Sequence, residues 1–92
     1  METIDADAVG YTGDAVGPRT VVVRLPDGRR VQSEPLTEPL SRRLAVHIAA
    51  SGPGRRARTD DGERYTTTGS GLVLEVLAGT ARHAVVTVVR AR

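Results

Sequence analysis

Alternating apolar and polar positions predict a β-hairpin at residues 20–33. Val21, Val23 and Leu25 occupy every second position, and Val31 resumes the alternation after a turn. Side chains two residues apart in a strand share a face, so this pattern is typical of strands with one buried face. The intervening Pro-Asp-Gly favours a tight turn, because proline presets φ and glycine accepts positive φ. Two strands joined by a turn are therefore expected.

A change to three- and four-residue spacing predicts one amphipathic helix after the hairpin. Leu44 and Ile48 fall on one face together with His47, at the spacing with which a surface helix buries an apolar stripe. Thr37 suits the N-cap, and Gly52 opens a Gly-Pro-Gly segment that ends the helix. We expect His47 to be hydrogen-bonded within the fold and not to bind a metal.

The opposite face of this helix is also apolar, which a helix with a single packing partner does not require. It carries Ala45, Val46 and Ala49 beside Arg42. A second apolar stripe favours burial against another subunit. We therefore expect a homodimer whose interface includes Ala45, Val46 and Ala49.

Three further strands are expected in the C-terminal part of the chain. Residues 64–68 have strand composition, and residues 84–90 are apolar on both faces, as in a central strand. The short apolar run at residues 72–77 fits a strand or the start of a helix. We favour a strand because Gly79 closes the run. Residues 52–62 lack apolar periodicity and are predicted to form a loop.

The glycine-rich first 19 residues are interpreted as a flexible acidic arm, with an added edge strand as the alternative. Four acidic residues against one arginine give this segment a net charge of −3, and twelve arginines against seven acidic residues give residues 20–92 a net charge of +5. Residues 20–92 are predicted to be a single small α+β domain. Its N-terminal hairpin, helix and three further strands would form one mostly antiparallel sheet with the helix on one face.

The composition excludes several kinds of site and a membrane-spanning segment. Hydrophobic residues make up 39% of the 92 positions and aromatic residues 2%, and cysteine is absent, which excludes disulfides and thiolate zinc sites. No apolar run is long enough to span a membrane, and the first residues do not resemble a secretory signal, so a cytoplasmic location is expected. All 13 basic residues are arginine, a bias typical of a GC-rich bacterial genome. The net charge of +2 is therefore not taken as a sign of an anionic partner.

An arginine-rich loop is the main candidate for binding chemistry. Arg55, Arg56 and Arg58 lie within four residues, and Arg42 and Arg43 lie one helix upstream. Guanidinium groups bind phosphate through two parallel hydrogen bonds, so these five residues are predicted to bind phosphate or a partner. The acidic residues of the same loop are expected to neutralise part of this charge; they are Asp60, Asp61 and Glu63.

No catalytic residue set, cofactor motif or metal-ligand spacing is recognisable. The leading expectation is therefore a non-enzymatic protein-interaction or regulatory module that acts as a homo-oligomer. The alternative is a nucleic-acid-binding protein that uses the arginine-rich loop, with the acidic arm competing for the same surface. A protein partner is preferred to nucleic acid, and no membrane partner is expected.

Overall fold

One continuous sheet of seven strands and a single helix make up the part of the chain that the structure describes. The structure is a computed structural model, and it describes residues 2–77 and 85–92. In chain order the elements are β1 (Thr3–Gly13), β2 (Pro18–Arg24), β3 (Arg30–Ser33), α1 (Glu38–Ser51), β4 (Arg56–Arg58), β5 (Arg64–Thr67), β6 (Val73–Leu77) and β7 (Val85–Ala91).

β1 closes this sheet into a barrel, because it pairs along both of its edges. Its first half pairs with β6 and its second half with β2, both antiparallel. The circuit continues from β2 to β3, from β3 to the parallel strand β7, and from β7 back to β6. The register of β1 against β2 shifts between Ala8 and Gly10, and such a bulge bends a strand from one partner towards another. Five strands thus form a closed barrel, and β5 and β4 extend the sheet from β1.

The predicted α+β fold, a single mostly antiparallel sheet with the helix on one face, is wrong. The segment that was interpreted as an arm supplies β1, whose two paired edges turn an open sheet into a closed one. The parallel pairing of β3 with β7 was also not anticipated. Such pairing joins segments far apart in sequence, and local patterns carry no information about it.

The hairpin, the helix and the three later strands are confirmed as elements. β2 pairs with β3 around the predicted turn, where the backbone N–H and the guanidinium of Arg29 donate to Asp27 and lower the pKa of that carboxyl. The run at residues 72–77 is the strand β6, and β7 is central, with partners on both edges. β4 lies within the predicted loop at residues 52–62.

α1 covers one end of the barrel. It connects β3 with the strands that lead to β6, and its buried Leu44 and Ile48 join the barrel interior. Thr37 occupies the N-cap position as predicted, although its side chain makes no capping hydrogen bond. A five-stranded barrel with this strand order and a helix between its third and fourth strands has the connectivity of the OB-fold. No helix in the described residues has the length and the apolar character needed to cross a membrane.

The barrel interior is aliphatic apart from one tyrosine. Alanines of β1 face valines and leucines from the other barrel strands and from α1, so small and large side chains complement one another across the interior. The buried cluster consists of Ala6, Ala8, Tyr11, Val21, Val23, Val31, Leu44, Ile48, Leu72, Leu74 and Val76.

Charged side chains link the three strands β1, β6 and β7 on the outside of the barrel. Asp5 lies opposite Glu75, and Glu75 lies opposite Arg90. Arg92 reaches both acidic residues, with Nε 3.0 Å from Asp5 Oδ1 and Nη2 3.4 Å from Glu75 Oε1, while Arg90 Nε lies 3.3 Å from Glu75 Oε1. The hydrogen bond with Asp5 raises the pKa of Arg92. The arginines thus offset the repulsion between two neighbouring carboxylates.

We predict that Glu75→Gln destabilises the barrel by about 1 kcal/mol, because it removes the charge from the largely buried acceptor of this network. Chemical denaturation measures the free energy of unfolding. Glu38→Gln is the matched control, since Glu38 forms an exposed pair with Arg42 and its loss should cost at most about 0.5 kcal/mol. Equal losses in the two variants would contradict a special role for Glu75.

Candidate functional site

The β4–β5 hairpin is an extension of the barrel with contacts at its base and its tip. At the base, β5 pairs with β1 at Gly10 and Tyr11. At the tip, the backbone N–H of Asp60 donates to the carbonyl oxygen of Arg30 over 3.4 Å, and the two side chains form an ion pair at 4.0 Å. Because Arg30 begins β3, these contacts place the hairpin across the outside of the barrel.

One face of the hairpin packs on the barrel. Tyr65, which is opposite Ala57 in the β4–β5 register, is only 5% exposed and lies directly over Gly10. Val22 is fully buried although it alternates with Val21 and Val23, whose side chains point into the barrel. An outward-facing valine is shielded from solvent only when another element packs over it, and the hairpin crosses the barrel at this position.

The other face of the hairpin carries three arginines, which we call the arginine face. Arg56 and Arg58 are two residues apart on β4 and therefore share a side, and Arg64 on β5 is directly opposite Arg58. All three are exposed and line a shallow groove with Ala57. Like charges directly opposite one another on paired strands are destabilising, so this arrangement is not explained by the stability of the hairpin.

Ion pairs divide the described arginines into two groups. Six of them pair with a carboxylate, namely Arg24, Arg29, Arg30, Arg42, Arg90 and Arg92. The other arginines of residues 2–77 and 85–92 have no carboxylate within 4.0 Å, and they include Arg55 and the whole arginine face. The loop acids form no ion pair with the arginine face, since Asp60 pairs with Arg30 and no ion pair within residues 2–77 and 85–92 involves Asp61 or Glu63. Among the guanidinium groups of the arginine face, that of Arg58 donates to the carbonyl oxygen of Gly62 at 3.1 Å.

The structure separates the five arginines that the sequence grouped together. Arg56 and Arg58 share the arginine face, and Arg55 precedes it on the same hairpin, where its backbone N–H donates to Thr67. Arg42 pairs with Glu38 on α1, and Arg43 borders an apolar recess beside Leu44. Neither helix arginine lines the groove of the arginine face.

Arg64 is the member of the arginine face that the sequence analysis missed. It was assigned only to a strand, because its partner strand β4 was not recognised. The sequence does contain a signal for this pairing, since Asp61-Gly62 is typical of the turn of a β-hairpin. Pairing the segments around that turn brings Arg64 opposite Arg58.

An exposed apolar surface, which we call the α1 patch, lies where the β1–β2 loop meets the helix. It consists of Ala15, Val16, Ala45, Val46 and Ala49, with Ile48 beneath. Val46 is 66% exposed and Val16 is 90% exposed. The three residues that the sequence assigned to an oligomer interface therefore lie together on one surface.

His47 is the histidine that the structure describes, and it bonds to the backbone. Its Nε2 lies 2.7 Å from the carbonyl oxygen of Gly69, so the predicted hydrogen bond is confirmed. His83 lies outside the described residues. Within residues 2–77 and 85–92, no three metal-ligating side chains come together.

Comparison of the chain with protein-family models, with curated proteins and with solved structures finds no match in any of the three. The candidate binding surfaces of the described residues are therefore the arginine face and the α1 patch.

We predict that Gly10→Ala destabilises the protein by about 1–3 kcal/mol, since the new methyl group would overlap the ring of Tyr65 and the carbonyl oxygen of Thr66. The tyrosine fluorescence should change as the hairpin shifts. In the control Gly17→Ala the added methyl group meets nothing within 4 Å, and unfolding should require as much denaturant as in the wild type. A stable Gly10→Ala variant with unchanged fluorescence would show that the hairpin is not docked on the barrel.

We predict that Arg64→Thr stabilises the protein by about 0.2–1 kcal/mol, because it removes the repulsion from Arg58 and adds a residue with high strand propensity. The gain measured by denaturation should shrink in 1 M salt, where the Debye length falls to about 3 Å. Arg90→Thr is the opposite case, since it removes a partner of Glu75 and should lower stability. Loss of stability in Arg64→Thr would instead assign Arg64 a structural role.

Proposed function

We propose that the protein is a non-enzymatic binding module whose arginine face binds the phosphate backbone of nucleic acid without regard to sequence. The observation that carries this proposal is the set of three exposed arginines on one side of a docked hairpin, two of them directly opposed and none with a carboxylate partner. A bound polyanion would relieve the repulsion within the hairpin. This inverts the preference drawn from the sequence, in which a protein partner came first.

The type of cation supports phosphate as the ligand. Guanidinium groups donate two parallel hydrogen bonds to phosphate oxygens, and a fixed array of them offers more contacts than a single side chain. Arg56 and Arg58 are two positions apart along β4, or about 6.7 Å, so they reach different phosphates of one strand. Arg55 adds a fourth charge at the start of the same hairpin.

The aromatic residues support a mode of binding without base stacking. The chain has two tyrosines and no phenylalanine or tryptophan. Tyr11 belongs to the barrel interior and Tyr65 lies under the hairpin, and both are at least 91% buried. Proteins that bind single strands normally stack bases on exposed rings, whereas backbone contacts alone favour the higher charge density of a duplex.

The hairpin lies on the side of the barrel that binds ligands in other barrels of this connectivity. Barrels with OB connectivity bind oligonucleotides and oligosaccharides on the outside of their second and third strands, an analogy that suggests a location but does not assign a function. Here the hairpin reaches β3 on this side of the barrel, so its arginine face takes the outward position. A cytoplasmic location goes with this proposal, because nucleic acid is accessible there.

Competition by the N-terminal acidic residues is not part of the proposal. Asp7 pairs with Arg24 and Asp5 pairs with Arg92 on the barrel. Both residues belong to β1 and are therefore held in the sheet.

We predict that the protein binds a 20-base-pair duplex of mixed sequence with a dissociation constant of about 1–100 µM at physiological salt, as non-specific binders do. Fluorescence anisotropy should give a plot of log K against log salt with a slope of about −3, since about three or four phosphates are neutralised. A single strand of the same length and polyglutamate serve as competitors and should bind more weakly.

A matched pair of triple variants separates the arginine face from general charge. The combination Arg56→Gln, Arg58→Gln and Arg64→Gln should weaken duplex binding at least tenfold. The combination Arg24→Gln, Arg29→Gln and Arg90→Gln changes the net charge equally but removes arginines already paired with carboxylates, and it should weaken binding much less. Equal effects, or tighter binding of polyglutamate than of duplex, would contradict the proposal.

A further inference from the structure

The α1 patch concentrates exposed apolar surface that the fold leaves uncovered. Among the described residues, the large hydrophobic side chains exposed to solvent are Val16, Val46 and Val85. Two of the three lie in the α1 patch, and they come from different elements, the β1–β2 loop and the helix. Single exposed valines are ordinary on a protein surface, whereas a contiguous group marks an interaction site.

We propose that the α1 patch binds a second copy of this chain, through an antiparallel pair of α1 helices related by a two-fold axis beside Val46. A two-fold interface requires a surface that is complementary to itself. Ala45 and Ala49 flank Val46 on the helix and allow the two backbones to approach closely, while Val46 fills the space between them. Val16 extends the contact beyond the helix.

Charge complementarity favours this occupant. α1 has Glu38 in its first turn and no basic residue in its last turn, so the helix itself supplies no cation to the carbonyl groups at its C-terminus. In an antiparallel pair with the axis beside Val46, residue 42 of one helix lies opposite residue 50 of the other. Arg42 of each copy thus lies against the C-terminal end of the helix in the second copy. Its own pair with Glu38 is exposed, and such a pair contributes little to stability, so it does not hold Arg42 away from this position.

The small size of the barrel adds a reason for association. A domain of this length buries about 60–65% of its unfolded surface, and the interior contains no phenylalanine or tryptophan. Burial of the α1 patch would add apolar contact that the single chain does not provide.

Sedimentation equilibrium tests the pairing in the full chain. The wild type should be dimeric at about 100 µM, a concentration that detects micromolar dissociation constants. Val46→Glu should raise the dissociation constant about 100-fold or more, because it buries two unpaired carboxylates at the axis. Val85→Glu is the matched control, since it makes the same change at an exposed valine outside the α1 patch, and it should leave the dimer intact.

Circular dichroism must show that Val46→Glu is folded, as expected for a residue that is 66% exposed. If it is not, Ala49→Gln provides the same test with a milder change. A monomeric wild type at this concentration, or a dimer that persists in the folded variant, would overturn the proposal. A wild type that stays monomeric would assign the α1 patch to a different occupant.

Cysteine cross-linking tests the position of the axis, and the chain has no cysteine of its own. Helices packed 8–10 Å apart, each with its Cα atoms at a radius of 2.3 Å, bring facing Cα atoms to about 3.4–5.4 Å, which overlaps the 4.4–6.8 Å span of a disulfide. Val46→Cys should therefore oxidise to a covalent dimer. Ala50→Cys is the control, because the 1.5 Å rise per residue separates its two copies by about 12 Å along the axis. Cross-linking of Ala50→Cys but not of Val46→Cys would overturn the antiparallel arrangement.

Discussion

Pairing of β1 along both edges is the constraint on which the rest of the structure depends. Its first residues hydrogen-bond to β6, its last residues to β2, and the bulge between Ala8 and Gly10 bends the strand between the two. β6 pairs only with residues 3–7 of β1, so the later half of the strand keeps a free edge on that side, and β5 pairs there at Gly10 and Tyr11. The same strand ends in the loop that carries Val16 to the helix. Both candidate surfaces are thus positioned by one strand.

The β4–β5 hairpin combines an apolar face that stabilises it with a charged face that does not. Burial of Tyr65 over Gly10 supplies contact area, since an aromatic side chain can bury about 150–250 Å². Arg58 opposite Arg64 has the opposite effect, because like charges on paired strands repel. A hairpin selected only for stability would carry an acidic residue or threonine at one of these positions. The contacts of its docked face offset the repulsion and hold the hairpin in place without a ligand. Binding would therefore not have to order the backbone that carries the arginines.

Local elements could be predicted from the sequence, whereas their closure into a barrel could not. Pro26-Asp27-Gly28 and the spacing of Leu44 and Ile48 are signals contained within a few residues, and the turn and the helix follow from them. β1 also alternates, with Ile4, Ala6 and Ala8 on one side and Asp5 and Asp7 on the other. Alanine and aspartate have low strand propensity, so the acidic residues suggested an arm, although they lie on the outside of the barrel and pair with Arg92 and Arg24. The arginine face was found in part, since Arg56 and Arg58 are close in sequence and Arg64 joins them only through strand pairing.

The distribution of arginines within the structure is more informative than their number. The chain has 13 arginines and no lysine, but this composition does not decide which of the arginines acquire carboxylate partners. On the barrel strands, Arg24 and Arg90 are paired with acids of neighbouring strands, whereas Arg19 of β2 has no carboxylate partner among the described residues. At the hairpin, acids are also close in sequence, yet Asp60 pairs with Arg30 of the barrel and the arginine face remains without a partner. The arginine face differs from a single unpaired arginine such as Arg19 in that three of these side chains share one surface. The anionic ligand that we propose would have the sign and the position to offset their repulsion.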